Sequence, residues 1–298
     1  MSFNAASLFS VQGHVTVITG GGTGLGRTMA LAFDTNDAAK VFILGRREQP
    51  LQETAAQATN KTIVPVVADI SSHASLEAAY QTIASQTTHI DLLVGNSAVP
   101  GSAVPRFNPD GSQPTLAEFR DRHFAKSMSE FTNVFDVNVT GSYYTILALL
   151  PLLDKANHRR ALSSSSDELA PPRPQVILIS SIGGILHHPA SVAYGLSKAA
   201  VLHMVKVMSA LLAPYLIRVN GIAPGLFWTE LSRPLFRTFG IEGRGLADGS
   251  VPASNIPITR AGAPQDLAGL VLWMASASGG FLNGDSIVYD GGRSKVSL

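Results

Sequence analysis

Short runs of β-branched and aliphatic residues alternate with longer Ala-rich stretches along this 298-residue chain. That rhythm belongs to β-α-β units, in which each strand of a parallel sheet is followed by a helix that covers it. The runs predict strands at His14–Thr19, Lys40–Leu44, Ile63–Ala68, Asp91–Val94, Val176–Ser180, Arg218–Ile222 and Ser286–Tyr289. The stretches between them predict helices at Leu25–Asp37, Leu51–Thr59, Ser72–Gln86, Met128–Leu153, Ala190–Leu212 and Ala263–Ser276. The strands read as near-continuous apolar runs, as strands buried on both faces do. Together they predict one doubly wound α/β domain over 1–298, with a seven-stranded, mostly parallel sheet and helices on both faces.

Three stretches break the rhythm. Residues 99–115 hold Pro100, Pro105, Pro109 and Pro114 and read as a loop after a strand end. Residues 154–175, with Ser163 to Ser166 in a row and then Pro171, Pro172 and Pro174, read as an exposed loop insertion. Residues 226–257 open with Leu226, Phe227, Trp228, Leu231, Leu235, Phe236 and Phe239 and run on into a Gly-rich stretch. An apolar stripe of this kind is either a lid over a ligand pocket or plain core and subunit contact.

Two local motifs carry chemistry. After the first strand comes Thr19-Gly20-Gly21-Gly22-Thr23-Gly24-Leu25-Gly26. It departs from strict G-x-G-x-x-G spacing, yet it puts glycines where a strand turns into a helix, so backbone can approach a pyrophosphate and helix N–H groups can hold it. The second motif is Tyr194-Gly195-Leu196-Ser197-Lys198. In a helix, Tyr194 and Lys198 lie four residues apart on one face. A phenol of pKa about 10 is a poor acid–base group at neutral pH, and a fixed ammonium beside it favours the phenolate and lowers that value. Tyr194 is therefore a candidate proton donor.

Composition narrows the classes. Charged residues make up 14% of the chain and hydrophobic ones 45%, against about 25% charged in an average domain. A surface so sparing in charge favours an oligomer. The net charge is +1 with no basic block, so neither nucleic acid nor an anionic membrane is an expected partner. The chain has no Cys, which excludes disulfides, thiolate catalysis and Cys-based metal sites and fits a reducing compartment. Residues 1–11 lack a basic segment followed by an apolar core, and the apolar run near Tyr143–Leu153 is too short to span a bilayer. A cytoplasmic protein is expected.

Gly20-x-x-x-Gly24-x-Gly26 together with Tyr194-x-x-x-Lys198 resembles the short-chain dehydrogenase/reductase family, whose domain is of the Rossmann type, and the similarity runs from about Val11 to Gly292. Other family landmarks follow in order. Asp69 and Ile70 end the third strand, where such enzymes hold the adenine. The fourth strand ends in Gly95-Asn96-Ser97-Ala98, a departure from the usual Asn-Asn-Ala-Gly. Asn138 stands at the family's helix-kinking Asn, and Ser181 precedes Tyr194 by the family's thirteen residues, with Ser180 beside it as the other hydroxyl open to the role. Pro224-Gly225 follows the sixth strand, then Phe227 and Thr229.

The resemblance implies that Ser181 donates a hydrogen bond to a substrate carbonyl oxygen and that Tyr194 delivers the proton. It implies that Lys198 lowers the Tyr194 pKa and holds the nicotinamide ribose, while Asn138 holds a water that links Lys198 to solvent. The implied cofactor site takes in the turn Gly20, Thr23, Gly24, Leu25 and Gly26, then Arg46, Asp69, Ile70 and Asn96. Tyr194, Lys198, Pro224, Gly225, Phe227 and Thr229 complete it.

Cofactor choice is read about 20 residues beyond the glycine turn, where an NAD-binding protein places an acid for the ribose 2′-hydroxyl. Here the residues are Gly45-Arg46-Arg47. Arg46 can pair with a 2′-phosphate, so NADP(H) is expected; stacking on adenine is its other possible use. The expected activity is interconversion of a ketone and a secondary alcohol on an apolar small molecule, such as a 3-oxoacyl, polyketide-like or ring ketone. A homodimer or homotetramer is expected, with Met128–Leu153 and Ala190–Leu212 at the interface. His187 and His188 are candidates for substrate contact, and no metal site is expected. The alternatives are a dehydratase, isomerase or cyclase in the same pocket, or a cofactor-sensing binding protein. Intact Ser181, Tyr194 and Lys198 speak against the sensor, which has no need of a proton donor.

Overall fold

Every predicted apolar run forms a strand within two residues of its expected bounds. In the computed structural model, which describes residues 3–161, 171–187, 189, 191–230, 232–238 and 245–296, these are β1 Val15–Thr19, β2 Lys40–Gly45, β3 Ile63–Val67, β4 Leu92–Gly95, β5 Gln175–Ile179, β6 Arg218–Pro224 and β7 Ser286–Tyr289. They form one sheet in the order β3-β2-β1-β4-β5-β6-β7. All neighbours are parallel, so the expected "mostly parallel" sheet is wholly parallel.

Side chains of a strand point alternately to its two faces, and each face has its own core. Val17, Leu93, Val176, Leu178 and Val219 pack under the helices His73–Ala84, Ser142–Ala161 and Val192–Leu212. Ile18, Leu92, Val94, Ile177, Ile179 and Ile222 pack under Gly24–Thr35 and Pro264–Ala275. The order of strands reverses between β1 and β4, and a crevice opens beyond the strand ends at such a point.

The helix expected at Met128–Leu153 is in three parts. Met128–Phe135 is α-helical, Asp136–Gly141 forms a π turn, and Ser142–Ala161 is α-helical again, running through Pro151. Residues 154–161 therefore belong to a helix and not to an exposed loop insertion. Ala156 is buried on its inner face, and Asp154 and His158 pair one turn apart at 3.5 Å. Residues 162–170 lie outside the described residues. A further helix, Leu116–Phe124, starts at a capping box in which Thr115 Oγ1 accepts from Glu118 N at 3.3 Å and Glu118 Oε2 accepts from Thr115 N at 2.7 Å. Among the described residues one helix, Val192–Tyr215, is long and apolar enough to cross a bilayer by length and composition. Its inner face, with Val201, Val205 and Met208, is part of the core against the sheet.

At the opposite end of the sheet from the crevice, Asp91 ties the starts of β1 and β4 together. Its Oδ2 accepts from Val15 N at 2.8 Å and lies 3.4 Å from His89 Nε2. Burial raises the Asp91 carboxyl pKa, but the His89 hydrogen bond, the Val15 N–H and the positive character of His14 and His89 outweigh it and hold the pKa below the usual range. A depressed folded-state pKa gives stability that is present above the unfolded value and lost as pH falls through the folded one. Asp91→Ala is expected to cost about 1–3 kcal/mol at neutral pH. Urea melts of the two proteins should converge as the pH is taken from about 7 to about 3.

Candidate active site

The glycine turn follows β1 at the switch point. Gly20 takes φ 68°, a conformation side chains disfavour, and a Cβ at Gly26 would stand 2.2 Å from Gly20 O. Only glycine lets the turn fold this tightly on itself. The turn is braced from β4: Asn96 Nδ2 donates to Thr19 O at 2.9 Å and Gly20 O at 3.3 Å, while Asn96 N and Ser97 N donate to Thr19 Oγ1 at 2.9 and 3.0 Å. Asn96 thus serves this role despite the altered motif around it. Thr23 is the N-cap of Gly24–Thr35, but its side chain makes no cap hydrogen bond and the first turn has no acid. The helix N-terminus therefore keeps its affinity for an anion. Leu25 packs on the core.

Ser181, Tyr194 and Lys198 meet beyond the end of β5. Ser191 caps the helix Val192–Leu212, its Oγ accepting from Tyr194 N at 3.3 Å, so Tyr194 lies in the first turn. Ser181 faces the Tyr194 ring, since a Cβ at Gly183 would stand 3.3 Å from both Ser181 Oγ and Tyr194 Cε1, and Ser181 Oγ accepts from Gly183 N at 3.0 Å. Ser180 is committed elsewhere: its Oγ donates to Lys198 O at 2.7 Å. Of the two hydroxyls, Ser181 is the one at Tyr194. A Cβ at Gly184 would meet the Lys198 carbonyl carbon at 2.6 Å, so a glycine is needed for the Ser181 turn to rest on the helix.

Lys198 is 2% exposed. Its Nζ donates to Ile179 O at 2.8 Å and lies 5.7 Å from the Tyr194 ring centroid. Burial pushes its ammonium down to about 8. Burial likewise pushes the Tyr194 phenol up, opposed by the Ser181 hydrogen bond. The expected net lowering of the Tyr194 pKa is thus not met here: desolvation dominates the balance at the phenol, and the Lys198 ammonium also donates to a main-chain carbonyl.

Asn138 lies in the π turn, 1% exposed. Its Oδ1 accepts from Val99 N at 2.8 Å, and its Nδ2 donates to Val99 O at 3.1 Å and Ser197 Oγ at 3.0 Å. Asn138 is joined to the Tyr194 helix through Ser197, a residue that the sequence reading passed over. Its signal was a hydroxyl three residues after Tyr194, on the same helical side.

At the far end of the cradle Arg46 is exposed, and its charge helps hold the Asp69 carboxyl below the usual range, after the stronger Ser71 hydrogen bond. Ile70 is buried with Leu76 and Val137. Pro224 ends β6, and Gly225 N donates to Tyr289 O at 2.9 Å. Thr229 Cβ is 3.3 Å from where a Gly24 Cβ would stand, so the 226–230 segment crosses the glycine turn. Arg47 and Glu230 add an exposed ion pair at 3.7 Å. Phe227 is a core side chain, packed on Gly262 and Tyr289. Leu226 and Phe236 are buried with Val251, Ile256 and Ala261 in a small core of their own, and Trp228 is half-buried against Phe236. The apolar stripe is in these places core. Leu231, Phe239, His188 and the Leu235 side chain lie outside what is described; His187 is exposed. Among the described residues no His, Cys, Asp or Glu cluster could hold a metal.

A glycine turn at the switch point of a parallel sheet, with a buried Lys, a Tyr and a Ser at the neighbouring strand end, defines a nicotinamide-dependent oxidoreductase that acts on a hydroxyl or ketone. The chain belongs to the short-chain dehydrogenase family, whose model matches residues 14–239. It is 39% identical to the short-chain dehydrogenase/reductase VdtF of Byssochlamys spectabilis, over 98% of this chain and 96% of that one. Among solved structures it is similar to the Pseudomonas aeruginosa RhlG/NADP active-site complex, at TM-score 0.75 and 27% identity over 96% of this chain and 98% of that one. It is also similar to the Brucella melitensis 3-ketoacyl-(acyl-carrier-protein) reductase complexed with NADH, at TM-score 0.75 and 26% identity over 96% and 100% of the two chains.

Proposed function

We propose that the protein is an NADP(H)-dependent reductase that interconverts a ketone and a secondary alcohol on an apolar substrate. The observation that carries this reading is the meeting of the Ser181 and Tyr194 side chains beside the buried Lys198. The residues fit a dinucleotide: the uncapped N-terminus of Gly24–Thr35 behind the glycine turn suits a pyrophosphate, and Pro224 and Gly225, at the end of β6 beside β5, would hold the nicotinamide together with Tyr194 and Lys198. When bound, the cofactor supplies or accepts the hydride. Ser181 orients the carbonyl oxygen and stabilises its developing charge. Tyr194, kept protonated at neutral pH by burial, gives that oxygen its proton. The Lys198 ammonium stabilises the phenolate left behind, and it keeps this charge below about pH 8.

The phosphate form of the cofactor is inferred from Arg46, exposed at the end of β2 where no acid stands. Arg46→Ala is expected to lower kcat/KM with NADPH about 10- to 150-fold and to leave the value with NADH nearly unchanged. A parent enzyme that prefers NADH overturns the assignment. An apolar substrate is supported by Ile185, Leu186 and Trp228, half-buried around the Ser181 turn and the 226–230 segment. A 3-oxoacyl, polyketide-like or ring ketone suits them. NADPH oxidation with a panel of such ketones, set beside polar ones, tests the reading; NADPH binding without turnover on any class favours a cofactor sensor. We also infer a homo-oligomer from the exposed Val192, Leu196, Val207 and Leu211 on one helix and Tyr143 and Tyr144 on its neighbour.

A further inference from the structure

Ser197 lies between Tyr194 and Lys198, is wholly buried, and has no part in the chemistry above. Its hydroxyl is bonded on both sides. Oγ donates to Tyr194 O at 2.8 Å and accepts from Asn138 Nδ2 at 3.0 Å. Asn138 in turn grips both main-chain groups of Val99, at 2.8 and 3.1 Å. The bonds run without a break from the loop that leaves β4, through the π turn, to the main chain of Tyr194. Among the described residues, the Asn138–Ser197 bond is the side-chain hydrogen bond that joins that turn to the Tyr194 helix. A hydroxyl suits the position because it can accept and donate at once, and alanine can do neither.

We propose that Ser197 is a positioning residue that, through Asn138, sets the Tyr194 turn against the β4 loop so that the phenol meets Ser181 in register. This rests on the reading of Tyr194 as proton donor. Small displacements of a reacting group carry large rate penalties, so a bracket on the main chain of the donor has a kinetic consequence that a packing residue lacks.

The test uses the full-length protein with ζ-carbon-labelled tyrosine, the Tyr194 resonance being assigned by its loss in Tyr194→Phe. In Ser197→Ala the Tyr194 titration is expected to move up by about half a pH unit or more as the phenol shifts away from Ser181, and Ser197→Thr, which keeps the hydroxyl, should restore it. With NADPH and an apolar ring ketone, kcat should fall about tenfold in the alanine variant while KM for NADPH stays within about twofold. Thermal melts confirm that each variant is folded. An unmoved Tyr194 resonance and titration in folded Ser197→Ala overturn the proposal. Turnover surviving in Tyr194→Phe overturns the proton-donor reading instead, and the resonance still decides the bracket.

Discussion

Tyr194→Phe is expected to lower kcat about a hundred- to ten-thousand-fold while NADPH binding stays close to that of the parent. The phenyl ring fills nearly the same volume, so the first turn of Val192–Leu212 keeps its packing. What disappears is the hydroxyl beside Ser181. Burial raises the phenol pKa, so at neutral pH the parent holds the proton that a reduction consumes. Hydride arrival without that donor would leave an alkoxide facing only the Ser181 hydroxyl. Cofactor binding draws on the glycine turn and Arg46, at the other end of the cradle, and should barely change. Cofactor titration by fluorescence and steady-state rates on one active ketone separate the two effects. Turnover at a tenth of the parent rate or more would mean another group supplies the proton.

The strands were legible because a strand covered on both faces leaves an unbroken apolar run, as Val41 to Leu44 do, each at most 1% exposed. Leu116–Phe124 buries no residue, so it has no apolar periodicity, and Thr115-x-x-Glu118 was the signal to read. The π turn left no trace in the apolar pattern, because Val137 and Asn138 continue a helical spacing whichever way the turn is wound; the resemblance alone placed a kink at Asn138. In the site, the pairing of Tyr194 with Lys198 follows from spacing alone, but the depth at which the pair sits does not. That depth reverses the expected direction at Tyr194. Ser197 depends on Asn138, 59 residues away, and a serine inside a helix looks the same in sequence with or without such a partner. The stripe at 226–239 has one composition for two uses, and only packing shows Leu226, Phe227 and Phe236 to be core.

Lys198→Met is expected to slow turnover sharply and make the folded protein more stable. The ammonium is 2% exposed and burial lowers its pKa to about 8, against about 10.4 in an unfolded chain, a difference that corresponds to about 3 kcal/mol of unfavourable burial. Below pH 8 both states carry the proton, so the whole penalty stands at neutral pH. Between about 8 and 10.4 the unfolded chain holds more protons than the folded one, and the stability of the parent rises with pH. Methionine keeps an apolar stem of similar reach and removes the charge, at the cost of the bond to Ile179 O, about 1 kcal/mol. The net gain near pH 7 is then about 2 kcal/mol, and it should fade toward about pH 10. Urea melts of both proteins without added cofactor, at these two pH values, measure it; an equal or lower stability for the variant near pH 7 would mean that the buried ammonium is better compensated than its single hydrogen bond suggests. Kinetically, loss of the fixed charge should cost about a hundredfold or more in kcat. The same charge predicts that the parent's reduction rate declines above about pH 8, as Lys198 gives up its proton. A group held at such a cost to the fold is one retained for its effect on the phenol beside it.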